Sequence, residues 1–281
     1  MTVDWNIQNK TVLITGATDG IGKEVSRELL RRGANVVAVA HTKEKGEVYK
    51  AAFPDSDYIV ADLASLAGVR SCAEAFAHTH NELHVLINNA GVMPATKMMS
   101  ADAIELNMAV NYFAPVLLTE LLLPLLKRSA PARIINVAST MHRKGHLDPD
   151  NLESTDAFDR YRSYANSKLA LMLYTQHLAR VLRGSGVTVN ALHPGWIKTK
   201  LALGTVSASG ILSRALNPFR MSSSKEGAKT VVYLAAKPDV AQYSGKYFTD
   251  ERIVEPSRDA LDETLADEVW AKTLTTLRAY L

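Results

Sequence analysis

Tyr164 and Lys168 stand four residues apart in Tyr164-Ala165-Asn166-Ser167-Lys168, a spacing that puts both on one face of a helix. A free phenol ionises near ~10 and is a poor proton donor or acceptor at neutral pH. An ammonium beside it favours the phenolate and lowers that pKa, which would make Tyr164 a usable general acid and base. The same pair could also be a surface contact worth roughly 0.2–0.5 kcal/mol. A second cluster near the front of the chain favours chemistry: Thr15-Gly16-Ala17-Thr18-Asp19-Gly20-Ile21-Gly22. Its glycines allow a tight turn and the close approach of a pyrophosphate. The helix that follows would offer that anion free N–H groups and the positive end of its dipole. The spacing is G-x-x-x-G-x-G rather than G-x-G-x-x-G, and alone such a turn could serve packing only. Together the two clusters point to hydride transfer with a nicotinamide dinucleotide.

The residues closing the second strand choose between nucleotides. A carboxylate there would bind the ribose 2′-OH of NAD and repel a 2′-phosphate. The chain instead reads His41-Thr42-Lys43, with no acid before Glu44. These three could accept a phosphate, so NADP(H) is expected over NAD(H); otherwise they are ordinary loop residues. Asp62, closing the third strand, either accepts from the adenine amino group or caps the helix that follows it.

Short Val- and Ile-rich runs alternate with helical patterns along almost the whole chain. Strands are expected at 11–15, 35–40, 58–61, 84–88, 133–138, 188–192 and 246–248. Helices are expected at 21–32, 43–52, 66–78, 102–128, 161–183 and 225–236, with a last one over 259–280. Strands hydrophobic on both faces, each followed by a helix, imply an α/β fold of the Rossmann type. The expectation is a doubly wound, mostly parallel seven-stranded sheet with helices on both faces. With no linker-like tract in the 281 residues, we read a single dinucleotide-binding catalytic domain over 1–281. An apolar segment near 200–224 interrupts the rhythm after a strand end, the place for a substrate lid.

Composition narrows the function classes. Hydrophobic residues make up 47% of the chain, and the net charge is only +3. Lys and Arg alternate with Asp and Glu, the pattern of a solvated surface rather than of a nucleic-acid partner. Cys72 is the sole cysteine, so no intrachain disulfide forms, and a structural thiol in a reducing, cytoplasmic setting is expected. From the polar start at 1–10, no signal peptide is expected. The most apolar run, 116–126, contains Glu120 and Pro124 and is short for a membrane span. His80-Asn81-Glu82-Leu83-His84 imitates a zinc-protease motif with its glutamate one position late, so no metal is expected. His193 has no G-x-S-x-G serine to serve.

The glycine turn, Asp62-Leu63, Asn88-Asn89-Ala90-Gly91, Asn111, Ser139, Tyr164/Lys168 and Pro194-Gly195 occur in the order seen in short-chain dehydrogenases/reductases. The chain resembles that family over roughly residues 8–250. The resemblance implies a catalytic set of Asn111, Ser139, Tyr164 and Lys168. Tyr164 would be the acid/base. Lys168 would lower its pKa and hold the nicotinamide ribose, Ser139 would bond the substrate oxygen, and Asn111 would hold a water leading from Lys168 to solvent. It also implies cofactor contacts from Gly16, Thr18, Asp19, Gly20, Ile21 and Gly22, from Asp62 and Leu63, and from Asn89, Ala90 and Gly91. Pro194, Gly195, Ile197 and Thr199 would meet the nicotinamide carboxamide.

Twenty-four residues separate Ser139 from Tyr164, about twice the interval in many members. This insertion resembles the retinol dehydrogenase-like and protochlorophyllide reductase-like branch, as do Arg133-Ile134-Ile135-Asn136-Val137-Ala138 and Ser244-Gly245-Lys246-Tyr247-Phe248. In that branch an arginine is common where His41 stands. The resemblance implies an NADP(H)-dependent oxidoreductase interconverting a bulky lipophilic ketone or aldehyde and its alcohol. Family members form dimers by pairing the helices that correspond to 102–128 and 161–183, so a homodimer is expected unless the last helix covers that face. Two rivals share the fold: a noncatalytic dinucleotide-sensing regulator and a light- or radical-assisted C=C reductase.

Overall fold

Runs such as Val12-Leu13-Ile14 and Val36-Val37-Ala38-Val39 place an apolar side chain on each side of the backbone in turn, and such strands are stable only when covered on both faces. A computed structural model describes residues 5–195 and 223–281. Its strands are β1 (Thr11–Thr15), β2 (Asn35–Ala40), β3 (Asp57–Val60), β4 (Val85–Asn88), β5 (Ala132–Val137), β6 (Val187–His193), β7 (Tyr247–Thr249) and β8 (Arg252–Ile253). They form one sheet in the order β3-β2-β1-β4-β5-β6-β7-β8, parallel except for the last pair. Leu13 lies beside Val37 and Leu86 in this register.

Alternation sorts the core into two layers. Leu13, Val37, Leu86 and Ile134 face α3 (Leu66–Thr79), α4 (Leu106–Arg128) and α5 (Arg160–Val181). Val12, Ile14, Ile87 and Ile135 face α1 (Gly20–Arg31) and α6 (Ser224–Ala236), with Tyr49 of α2 (Lys43–Ala52) joining that layer. The sheet is therefore doubly wound, and its strand order reverses between β1 and β4. In such sheets the crevice beyond the carboxyl ends at that switch point takes the ligand.

Several boundaries differ from the sequence expectation. Among the described residues the sheet has eight strands rather than seven. The extra β8 returns through Asp250 and Glu251, both at positive φ (51° and 61°). That is hairpin geometry which usually signals itself by Asn-Gly, and this turn carries no glycine. α4 begins at Leu106, not at 102. Ser100 Oγ captures the N–H groups of Asp102 and Ile104, while Asp102 accepts from Leu66 N at the start of α3 and from Tyr280 Oη. By length and composition the whole of α4 could cross a membrane, unlike the shorter 116–126 run. However, 83% of its apolar window is buried inside the protein.

The last helix is shorter than expected. A 3-10 turn (Asp259–Leu261) leads into α7 (Glu263–Leu277), which packs on α5. Trp270 stacks on Tyr174 and His177 at 5.8 and 4.8 Å. Arg180 Nη2 donates to Asp267 at 2.5 Å, and Tyr112 Oη meets Thr273 Oγ1 at 2.6 Å. α7 thus occupies part of the α5 surface that the expected homodimer would use. Leu277 is fully buried in the layer it shares with α5. Leu277→Ala is expected to lower the unfolding free energy by about 2–5 kcal/mol, the usual range for a buried leucine, as read from urea denaturation.

Candidate active site

A cleft of about 540 Å³ opens beyond the carboxyl ends of β1, β2 and β4, at the switch point. Its first wall is the glycine turn. Gly16 and Gly20 sit at positive φ (66° and 53°), a region that side chains with a Cβ avoid. Asp19 accepts from Gly20 N at 2.8 Å and so starts α1 beside the cleft. A Cβ on Gly22 would stand 2.4 Å from Gly16 O and 2.6 Å from Asn89 Nδ2. The turn is thus drawn against the end of β4 as closely as backbones allow, leaving a cradle for a pyrophosphate at a helix N-terminus.

Asn89 makes that join. Its Nδ2 donates to Thr15 O and Gly16 O at 2.9 and 3.2 Å. Thr15 Oγ1 accepts from Asn89 N and Ala90 N at 2.9 and 3.0 Å. Within the expected ribose-lining loop at 89–91, Asn89 thus has a second task. Its carboxamide nitrogen is committed to the turn, although the stretch 89–91 does line the cleft.

At the nucleotide-selecting end, His41, Asp62, Leu63 and Ala64 line the cleft. His41 Nδ1 lies 3.6 Å from Asp62 Oδ1, and Asp62 also accepts from Ala64 N at 2.9 Å. Two expected phosphate contacts are placed otherwise. Thr42 Oγ1 caps α2 by accepting from Lys45 N. Lys43 Nζ turns along the helix to Glu47, 3.8 Å away. Lys45 lines the cleft instead. Its only sequence signal is its place three residues after the cap Thr42, which rotates it off the face that Lys43 shares with Glu47.

At the other end α5 presents Tyr164 and Lys168 inward, both buried, with Val137, Ala138, Leu106, Val110 and Pro194 around them. Lys168 Nζ is 5.6 Å from the Tyr164 ring centre and donates to Val137 O at 2.9 Å. Burial brings the ammonium down to about 8. It pushes the phenol up to about 12, against a smaller lowering from a hydrogen bond with Ser139. The expected fall in the Tyr164 pKa beside a lysine is thus reversed, because loss of solvent outweighs a cation held toward the Val137 carbonyl. Ser139 ends the β5 side of the site, and its Oγ accepts from Met141 N at 3.2 Å.

Asn111 lies in a π-helical turn, Ala109–Phe113, within α4. The cause is local: Pro115 has no N–H to give to the carbonyl of Asn111 four residues before it, and its ring crowds that carbonyl. The Asn111 side chain is tied into the protein on both ends of its carboxamide. Its Nδ2 donates to Val92 O and Ser167 Oγ, both at 3.0 Å, and its Oδ1 accepts from Val92 N at 2.8 Å. Gly91 keeps this corner open, since a Cβ there would come 3.3 Å from Asn111 Oδ1 and 3.7 Å from Lys168 Nζ.

Gly195 turns the chain at φ 90° after Pro194. Ile197, Thr199 and the apolar segment up to 222 lie outside the described residues. Cys72 is buried in the core, its thiol pushed up to about 12. The two histidines of the zinc-like motif have separate roles: His84 Nδ1 accepts from Thr11 N, and His80 stacks on Phe76.

The sequence profile of the family described as short chain dehydrogenase matches residues 10–208. Human retinol dehydrogenase 13 is 40% identical over 281 residues, covering 95% of this chain and 84% of that protein. Human retinol dehydrogenase 12 is 39% identical, covering 94% and 86%. A solved structure of Pseudomonas aeruginosa RhlG with NADP in its active site superposes with a TM-score of 0.70 at 27% identity, covering 93% of this chain and 98% of that one. An uncharacterized Mycobacterium paratuberculosis protein superposes at 0.80, with 28% identity and 99% and 97% coverage.

The cradle makes a direct prediction. Overpacking costs about 1–3 kcal/mol, and ~1.4 kcal/mol is tenfold in affinity. Gly22→Ala is therefore expected to weaken NADPH binding roughly tenfold or more, measured by titrating the fluorescence of the nucleotide.

Proposed function

This chain belongs to the short-chain dehydrogenase family, and from that membership we propose that it is an NADP(H)-dependent oxidoreductase acting on a bulky lipophilic alcohol and its aldehyde or ketone. The observation that carries the reading is the buried group of Ser139, Tyr164 and Lys168 at one end of a cleft whose other end is a glycine cradle. The residues fit a dinucleotide. The turn around Gly16, Thr18, Asp19 and Gly20 would hold the pyrophosphate, Asp62 and Leu63 the adenine side, and Lys168 the nicotinamide ribose. When bound, the nucleotide supplies or accepts the hydride.

The protein provides the proton and the electrostatics. In reduction, Tyr164 Oη gives its proton to the oxygen on which negative charge develops. A phenol held near 12 is still a stronger acid than the alkanol formed, so the transfer runs downhill. The tyrosinate left behind is stabilised by the Lys168 ammonium, which at about 8 stays largely protonated at neutral pH. Ser139 Oγ donates to the same substrate oxygen, favouring the charged transition state over the ground state. In oxidation the proton moves the other way.

Leu106, Val92 and Val110 give the cleft apolar walls. Together with the names of the retinol dehydrogenases, they make retinoid-like alcohols and aldehydes the first substrates to test. The preference for NADP(H) rests on His41 and Lys45 at the ribose end and on the engagement of Asp62 with His41 and Ala64 N.

With all-trans retinal and NADPH in the dark, wild-type protein is expected to consume nucleotide. Tyr164→Phe is expected to turn over roughly 10²–10⁴-fold more slowly, the span of general acid catalysis, while binding NADPH normally; near-normal turnover by this variant would refute the mechanism. Lys45→Glu is expected to lower kcat/KM for NADPH about tenfold or more, a charge-assisted contact to phosphate being worth about 1.5–3 kcal/mol. NADH should be little affected, and an unchanged NADPH/NADH ratio would exclude Lys45 from nucleotide choice.

A further inference from the structure

Three residues beyond Ser139, His142 is completely buried and belongs to none of the groups assigned so far. It lies in the short 3-10 turn Thr140–Lys144 that opens the long insertion. Its Nε2 accepts from the backbone N–H of Ser257 at 3.1 Å. A ring nitrogen that accepts carries no proton, so the neutral imidazole must hold its proton on Nδ1. Nδ1 lies 2.6 Å from Ser139 O, a carbonyl that can only accept. Both contacts therefore require the same tautomer. The Ser139 carbonyl receives a second bond from the backbone N–H of His142, at 3.1 Å.

The surroundings keep this arrangement in place. The Tyr247 ring meets the imidazole edge-on at 5.0 Å. Arg143, the next residue, donates to Glu255 O, so the stretch 255–257 is fastened to the turn at two points. Burial also depresses the His142 pKa and favours the neutral ring.

We infer that His142 is a positioning residue that clamps the backbone of Ser139, so that Ser139 Oγ is presented to the substrate oxygen and to Tyr164 in one orientation. This rests on the oxidoreductase reading above and deepens it. Ser139 lies two residues past the end of β5, an interior strand, where a ladder bond to β6 no longer holds its carbonyl. The His142 ring replaces that bond, and Ser257 selects the tautomer able to make it. Positioning of this kind acts on the transition state more than on nucleotide binding, because the cradle for the nucleotide lies at the far end of the cleft.

The test compares His142→Asn, His142→Gln and His142→Phe with wild type, using all-trans retinal and NADPH. Asparagine places an amide N–H near the Nδ1 position and needs no tautomer selection. Glutamine reaches the Nε2 position and leaves the Ser139 carbonyl without its side-chain donor. Phenylalanine keeps the bulk and makes neither bond. The expected result is that kcat falls tenfold or more in the Phe and Gln variants and stays within about threefold of wild type in the Asn variant. The dissociation constant for NADPH should remain within about twofold throughout. Wild-type kcat in the Phe variant, or an Asn variant as slow as Phe, would overturn the inference. If Phe does not fold, the Asn and Gln pair decides by the same criterion. Absence of carbonyl turnover in wild-type protein would overturn the parent reading and this one together, whereas turnover indifferent to His142 would overturn only this one.

Discussion

The join between the end of β1 and the end of β4 is the constraint on which the site depends. Parallel strands that diverge at a switch point leave a gap between their carboxyl ends, and here side chains close the lower part of it. Thr15 Oγ1 takes two backbone N–H groups from Asn89 and Ala90, and the Asn89 carboxamide returns two bonds to the carbonyls of Thr15 and Gly16. Because these bonds draw β4 onto the turn, only glycine fits at positions 16 and 22. The cradle therefore exists because the strand ends are tied beneath it. A glycine turn without Asn89 would have no fixed floor.

The opposite end of the cleft depends on α5, which is held from both sides. Its inner face carries Tyr164 and Lys168, and its outer face carries Tyr174, His177 and Arg180 into contact with α7. Ser167, on the same helix, receives Asn111 Nδ2 from the π-turn of α4. α4 is thus tied to α5 and to α7 by buried hydrogen bonds, Asn111 to Ser167 and Tyr112 to Thr273, which are costly to leave unmade. Ring and ammonium are held in place by packing rather than by an ion pair between them.

Burial also sets the electrostatics of that end. Desolvation disfavours charge on both groups, raising Tyr164 and lowering Lys168. The neutral phenol and an ammonium that releases its proton more readily than a free lysine suit a site that moves one proton. The proposed clamp on Ser139 belongs to the same economy of motion: a buried, neutral His142 orients the backbone without adding charge to the pocket.

Periodicity and local chemistry were enough to read much of this protein from its residues. The limits of β1, β2 and α2 coincide with the Val- and Ile-rich runs and the Lys43–Ala52 pattern. The sharing of one helix face by Tyr164 and Lys168 follows from spacing alone, as does the turn of glycines after the first strand. These are local properties, governed by backbone sterics and side-chain period. Long-range packing decided the rest. It sent Lys43 to Glu47 and Lys45 to the cleft, and it committed Thr42 to a cap and Asn89 to a strut. It engaged the Asn111 carboxamide with residues 19 and 56 positions away, and it reversed the sign of the Tyr164 shift. Whether a polar side chain meets a ligand or another part of its own chain depends on which backbone groups the fold brings within about 3 Å of it, and adjacency in sequence does not carry that information.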